Sequence, residues 1–502
     1  MGNTTTSGDA RPVPDYPQLL GHPRPLWMLF MSEFWERFAF YGMRWALTLY
    51  IVAQFYDGND AGQADASRTY GAYLALVYAT AVFGGYVADK ILGYQRSILL
   101  GAVVMAAGLF LVMVPNHAVF MLGLATVIVG NGLFKPNISS MVGQLYVQGD
   151  SRRDRGFTLF YMGINAGALI APVLTSILAN KVFGTPGHHN YHVVFAASGV
   201  GMLISLVWFW FGRRQLGPVG RPTPEQGGRM RVAYVVLGVL AAIPLVYLLM
   251  DKAGAVAIQW LLSVLFLGVG VMLVIEAIRT GRVQIQRVIA MLIIFTFNVL
   301  FWMFFEQAGS SFNFLAQHIV DRNLGGWEFP IGWFQSVNPV AIVLLAPLIS
   351  LAWGWLDKRR AEPSIPRKFG LGLIGNALGF AVLMYALSAL VGSDGMIPLW
   401  TLVLCYVLQT AGELCLSPIG LSMVTKLAPV RLVGLGMGGW FLSTAIGNNL
   451  AGLFAGHVSG ETGMTVDSAL SGYTMGFWIL LGGGIVLFLV APLINRLMHG
   501  VR

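Results

Sequence analysis

The sequence predicts an all-α polytopic membrane protein with fourteen transmembrane helices arranged as six, two and six. Three observations lead there. Of 502 residues, 56% are hydrophobic and only 11% charged, with a mean hydropathy of +0.69. Soluble domains of this length do not have that composition. Apolar runs long enough to cross a bilayer recur from residue 26 to residue 498. Basic residues sort to one side of those runs. The alternating ten-residue strands of an outer-membrane barrel are absent. Backbone amides in hydrocarbon must be satisfied within their own segment, so each run reads as a helix.

Residues 1–25 are polar and Pro-rich, lack the apolar centre of a cleaved signal peptide, and read as a cytoplasmic tail. The apolar segments follow at 26–55, 69–92, 96–114, 118–147, 155–182, 191–212, 231–250, 254–278, 286–319, 328–356, 368–391, 396–427, 431–457 and 473–498. Several exceed the roughly 20 residues a span requires, so tilted or protruding helices are expected. With the N-terminus inside, the outer loops take only Arg68, Lys181, Lys252 and Arg322, and the helices only Arg37, Arg44 and Lys135. The other 24 of 31 Lys and Arg, Arg11 and Arg502 among them, fall on the cytoplasmic side. That asymmetry accounts for the net charge of +9 without a nucleic-acid partner. Cys405 and Cys415 lie ten positions apart in one run, about 15 Å along a helix, too far for a disulfide.

The chain echoes itself. "GGYVADKILGYQR" (Gly84–Arg96) follows the second segment and "GWLDKRR" (Gly354–Arg360) ends the tenth; both put Gly, then Asp-Lys, at a helix end. "GNGLFKP" (Gly130–Pro136) and "GELCLSP" (Gly412–Pro418) each set Gly six residues before Pro. The echoes align if the seventh and eighth segments are an insert. The domains are then a six-helix bundle over 26–214, a linker with two inserted helices over 215–284, a second bundle over 285–498, and a cytoplasmic tail over 499–502. Parallel six-helix halves are the major facilitator architecture, with a substrate site between the halves at mid-membrane.

"SEFWERFAFYGMRWAL" (Ser32–Leu47) places Glu33, Glu36, Arg37 and Arg44 inside an apolar run. Positions 33, 37, 41 and 44 share one helical face, and Glu33 can reach Arg37. One unpaired charge at mid-membrane costs at least about 2.5–3.5 kcal/mol. Four unpaired charges would cost on the order of 10 kcal/mol, comparable to the net stability of a whole fold. These side chains must therefore face a polar interior and mostly pair. Lys135, Glu306 and Glu413 interrupt other apolar segments. The deep set has one more carboxylate than cations, and balances if one carboxyl carries a proton. Ion pairs that only fix packing are the simpler alternative, but intramembrane ionisable residues usually mark a transport path.

"EFWERFAFYGMR" matches the Glu-x-x-Glu-Arg-Phe-x-x-Tyr-Gly-x-Arg signature of the proton-coupled oligopeptide transporters, and "FYMGINAGALIAP" (Phe160–Pro172) resembles that family's second signature. "GNGLFKPNIS", "FWMFFEQAGSS", "FQSVNP" and "GELCLSPIGLS" resemble further family segments, in the expected order. The resemblance implies import of di- and tripeptides together with protons. A peptide zwitterion needs a cationic and an anionic pole. By similarity, Arg37 and Lys135 would hold its carboxylate and Glu413 its amino group. Tyr41, Tyr78, Asn165, Asn338 and Ser417 would bond its backbone, and Tyr161, Trp302, Gln307 and Trp440 would line side-chain pockets. Glu33, Glu36, Arg44, Lys135 and Glu306 would form the proton-coupling set. Asp89 and Asp357 would gate the cytoplasmic face. The second segment lacks the histidine of animal members, so coupling would rest on carboxylates.

These readings imply a multi-pass protein of the bacterial inner membrane with both termini cytoplasmic. It would be functional as a monomer, with the proton as coupling ion, no other cofactor and no metal. A same-fold carrier of nitrate or another small solute would not need Glu413 opposite Arg37 and Lys135. A drug antiporter is the remaining transport alternative. No His-rich metal cluster, Ser–His constellation or phosphate loop suggests an enzyme.

Overall fold

A computed structural model describes residues 13–147, 150–185 and 188–501. Arg11, Arg502 and the first twelve residues of the expected tail lie outside the described residues. The chain is built from helices: α1 (Arg24–Phe55), α2 (Gln63–Val87), α3 (Tyr94–Val112), α4 (His117–Gln144), α5 (Arg153–Ile177), α6 (Tyr191–Gly212), α7 (Arg229–Leu248), α8 (Gly254–Thr280), α9 (Arg282–Phe305), α10 (Ser311–His318), α11 (Val337–Lys358), α12 (Ile365–Ala389), α13 (Leu399–Leu427), α14 (Val433–Ser459) and α15 (Val466–Met498). Among the described residues, two-residue strands occur only at the ends of the bundle, such as the hairpin of β1 (Gln18–Leu19) with β2 (His22–Pro23).

Twelve helical stretches among the described residues are long and apolar enough to cross a membrane. In that number α7 and α8 form one stretch, because the turn between them, Leu249–Ala253, is itself helical. The chain reverses at Gly254, whose φ of +77° a side chain would disfavour. α1 is not among the twelve; it is the helix that carries Glu33, Glu36, Arg37 and Arg44.

α1 packs on α5 and α6, and α3 on α4 and α6. α12 packs on α13 and α15, and α14 on α9. α7 rests on α4, while α8 rests on α9 and α14, so this pair of helices touches both sets. The two sets meet most closely where α2 crosses α14. A Cβ on Gly71 would lie 2.6 Å from the Gly452 Cα, so the helices approach backbone to backbone there.

Polar contacts between the two sets gather toward the end marked by Phe55, Gln63 and Ser459. The Thr48 hydroxyl donates to the Gly309 carbonyl (3.0 Å), and Asn313 donates to the Trp45 carbonyl (2.9 Å). The Ser336 hydroxyl donates to the Leu169 carbonyl (2.8 Å), and the Met464 amide to the Gln63 side chain (2.9 Å). His318 sits 3.2 Å from Asp60.

One expected segment is corrected. Residues 286–319 do not form a single helix: α9 stops at Phe305, a 3₁₀ turn covers Glu306–Gly309, and α10 follows. Ser310, with φ −128° and ψ −96°, leaves the helical region. Gly309 lets the Tyr70 ring pass, since a Cβ there would lie 2.0 Å from the Tyr70 hydroxyl. The expected segment 328–356 likewise starts later. Pro330, which has no N–H to offer a preceding turn, leads into a 3₁₀ turn over Ile331–Ser336, and α11 continues from Val337.

At the opposite end the chain is tucked in. The Tyr16 hydroxyl donates to the Leu216 carbonyl (2.8 Å), and burial pushes its pKa up to about 12. His22 Nδ1 lies 2.8 Å from the Tyr146 hydroxyl. The linker after α6 is held by Gln95 donating to the Val219 carbonyl (2.7 Å) and Gln226 donating to the Asp89 carbonyl (2.7 Å).

Candidate functional site

The charged face of α1 folds as its spacing suggests and then pairs across helices. Arg37 is 2% exposed; its guanidinium grips Glu36 with two bonds of 2.5 and 2.6 Å and lies 3.4 Å from Glu33. Asn131, from α4, donates to the same Glu36 carboxylate at 3.1 Å. Two turns further along α1, Arg44 lies 2.5 Å from Glu306 and donates to the Tyr70 hydroxyl at 2.6 Å. This ion pair joins α1 to the turn after α9, and so joins the two halves. Tyr41 stands between the two arginines, with its ring centroid 6.0 Å from the Arg37 guanidinium and 5.7 Å from that of Arg44.

Two charges stand apart. Lys135 makes no ion pair among the described residues; its ammonium lies 4.6 Å from the centroid of the Tyr78 ring. Glu413, on α13, has no cation within ion-pair distance among the described residues and accepts instead from Asn338 on α11 at 2.9 Å. Asn338 also donates to Thr410 at 2.9 Å, which fixes the amide. Asn338, the partner of Glu413, lines the space between the halves together with Tyr41 and Arg44, which places Glu413 at the edge of that cleft. Between the halves lies a small cavity of about 30 Å³, room for about one water molecule, whose walls include Tyr41, Arg44, Phe305, Asn338 and Thr410.

The remaining expected residues divide. Tyr161 is 45% exposed, and its carbonyl accepts from Asn165 at 2.9 Å. The Ser417 hydroxyl, one turn beyond Glu413, is buried without a partner, a polar atom ready for a ligand or water. The Trp302 indole donates to Asn298 (3.0 Å), which donates in turn to Ser443 (2.8 Å) and Thr444 (3.1 Å) on α14. Trp440 is buried against Phe295, Phe369 and Gly420. Gln307 is fully buried: its amide donates to the Met303 and Ala451 carbonyls (3.0 and 3.2 Å), and its oxygen accepts from Ser311 (2.7 Å). Its polar atoms are engaged within the C-terminal half. Asp89 is exposed and bonded to the Tyr94 hydroxyl; Asp357 is exposed. Neither makes an ion pair among the described residues, so no arginine clasp closes that face here.

Sequence reasoning missed Asn131 and Tyr70. Asn131 lies inside the quoted Gly130–Pro136 segment, and a polar amide in an apolar run is a signal that it has a buried partner. Tyr70 sits at the start of an apolar run, where an interfacial tyrosine is ordinary, and nothing in its spacing points to Arg44.

Comparison with known proteins places the chain in a family. The model of the POT family matches residues 95–470. The peptide transporter YePEPT of Yersinia enterocolitica subsp. palearctica is 37% identical, over 96% of this chain and 96% of its own. The dipeptide and tripeptide permease A of Yersinia pestis is 33% identical, over 89% of this chain and 85% of its own. Among solved structures, a peptide transporter POT in complex with sulfate superposes with a TM-score of 0.82 at 32% identity, covering 96% of this chain and 97% of that one. The chain belongs to the POT family.

Proposed function

We propose that the protein is a proton-coupled symporter that imports di- and tripeptides by alternating access. One observation carries the reading. Among Glu33, Glu36, Arg37, Arg44, Lys135, Glu306 and Glu413, the two without an ion pair are one cation and one carboxylate, Lys135 on α4 and Glu413 on α13. A zwitterion bridging the halves supplies the missing partner to each. Lys135 takes the peptide carboxylate and Glu413 the amino group. Arg37 joins Lys135 when its carboxylate partners let go. Tyr41, Tyr78, Asn165, Asn338 and Ser417 bond the peptide backbone. Tyr161, Trp302, Trp440 and, through the packing of the turn after α9, Gln307 shape the side-chain pockets. The names of the relatives, a peptide transporter and a dipeptide and tripeptide permease, support the substrate class.

Coupling follows from the Arg44–Glu306 pair. The 2.5 Å contact ties α1 to the turn after α9. Protonating Glu306 removes half of an ion pair that ties the halves together, and so loosens that end of the molecule. Glu33, Glu36 and Lys135 adjust the balance as the peptide carboxylate arrives. Asp89 and Asp357 act at the opposite mouth when it closes. The proposed topology is fourteen spans, six over 26–214, two within 215–284 and six over 285–498, in the bacterial inner membrane. Both termini are cytoplasmic, and one chain suffices for transport.

Uptake of labelled dialanine into proteoliposomes under an imposed inward proton gradient tests the reading. Unlabelled di- and tripeptides compete, whereas free alanine and nitrate do not. Glu306→Gln abolishes concentrative uptake while sparing peptide counterflow. Competition by nitrate, or concentrative uptake retained in that variant, contradicts it.

A further inference from the structure

We propose that the C-terminal half holds an anionic phospholipid, its phosphate headgroup seated in a basic cavity where α11, α12 and α15 end together. The cavity has a volume of about 690 Å³, and its lining includes Arg360, Ser364, Arg367, Lys368 and Asn495 beside Asp357 and Glu362. It lies where the Gly354–Arg360 segment leads, at the end that the proposed topology turns toward the cytoplasm, away from the peptide site. The inference goes beyond the transport reading and does not depend on the substrate.

Lys368 is paired with Glu362. Arg360 and Arg367 make no ion pair among the described residues, although Asp357 and Glu362 also line the cavity. The Ser364 hydroxyl is buried without a hydrogen-bond partner, and it makes no capping bond to α12, which begins at the next residue. The cavity thus offers two unpaired guanidiniums and an unused hydroxyl at the positive end of a 25-residue helix.

Two features select a lipid rather than a free anion. Aromatic rings beneath the cations mark the membrane interface: Arg359 stacks over Trp355 at 3.9 Å, Lys368 over Trp353 at 5.1 Å and Arg367 over Phe488 at 5.3 Å. Leu351, Trp355, Leu489 and Leu493, on the two helices that border the cavity, are more than half exposed and give acyl chains an apolar wall. Basic pockets between helices at a membrane surface hold anionic headgroups in this way.

The test is native mass spectrometry of the full chain released from mixed phosphatidylglycerol and phosphatidylcholine nanodiscs. Wild type retains phosphatidylglycerol over phosphatidylcholine by on the order of tenfold, and the preference falls as salt is raised. Arg360→Gln with Arg367→Gln reduces the preference several-fold without lowering the melting temperature, and the corresponding Lys pair preserves it. Equal retention of both lipids by wild type, a preference unaffected by salt, or an unchanged preference in the Gln pair overturns the proposal. Loss of the preference on adding inorganic phosphate assigns the cavity to free anions and equally overturns it.

Discussion

Arg44 is the residue on which the two halves converge. It takes a carboxylate from the turn after α9 and a hydroxyl from α2, at 2.5 and 2.6 Å. Removing one member of a buried pair costs about 3–5 kcal/mol, because it leaves the other charge uncompensated. Tyr70→Phe is gentler: it deletes one bond to a charged group, worth about 1.5–3 kcal/mol, and leaves the ion pair. We expect that variant to fold normally and to lose roughly tenfold in proton-driven uptake rate, with counterflow little changed. Uptake at the wild-type rate in initial-rate assays would detach Tyr70 from coupling. The sequence made the Glu33–Arg37 pair legible, because four-residue spacing on a helix is a local fact. It did not reveal that Arg44 would meet Glu306, or that Asn131 would hold Glu36. Those partners are separated by many residues and brought together only by how α1 packs.

At the scale of elements, the informative feature is the interruption at Glu306–Gly309. A continuous helix over 286–319 was the natural reading of an unbroken apolar run. The run hides a turn because its residues, Glu-Gln-Ala-Gly-Ser-Ser, are polar or small rather than Pro-rich. The interruption carries Glu306 at a helix end, where its carboxylate reaches α1, and lets Tyr70 lie against Gly309. Gly309→Ala inserts a methyl into the space that the Tyr70 hydroxyl occupies, displacing it from Arg44. Overpacking of this kind costs about 1–3 kcal/mol. The expected result is a lowered melting temperature together with impaired proton-driven uptake; neither effect in a purified variant would mean that the turn tolerates the group. Apart from the starts of α2 and α11, helix boundaries elsewhere were readable to within a few residues, since Gly, Pro and charge punctuate the apolar runs. The beginning of α15 was not: it starts at Val466 rather than near 473, because Thr465 and Ser468 form a capping box ahead of the apolar stretch.

For the whole molecule, the polar ties between the halves gather at one end, from Thr48 and Asn313 to Asp60 and His318. The proposed alternating access requires those ties to break in each cycle. Asp60→Cys with His318→Cys, bridged by a short bifunctional thiol reagent, therefore arrests transport, and cleaving the bridge restores it; transport that continues with the bridge intact would show that this end does not open. The all-helical, membrane-spanning architecture was legible from composition and the recurring apolar runs, since those are properties of long stretches. The pairing of sites across the two halves was not, since it depends on their mutual approach. The proposed function makes Lys135 and Glu413 the two poles of the peptide site, and the most direct measurement is chemical. Dialanine, N-acetyl-dialanine and dialanine amide are each used to compete for labelled dialanine uptake in wild type and Glu413→Gln. Wild type discriminates against both blocked peptides by roughly 10–100-fold, the worth of a hydrogen bond to a charged group. Glu413→Gln loses the discrimination against the acetylated peptide and keeps that against the amide. If the variant still rejects the acetylated peptide as strongly as wild type does, Glu413 is not the anionic pole.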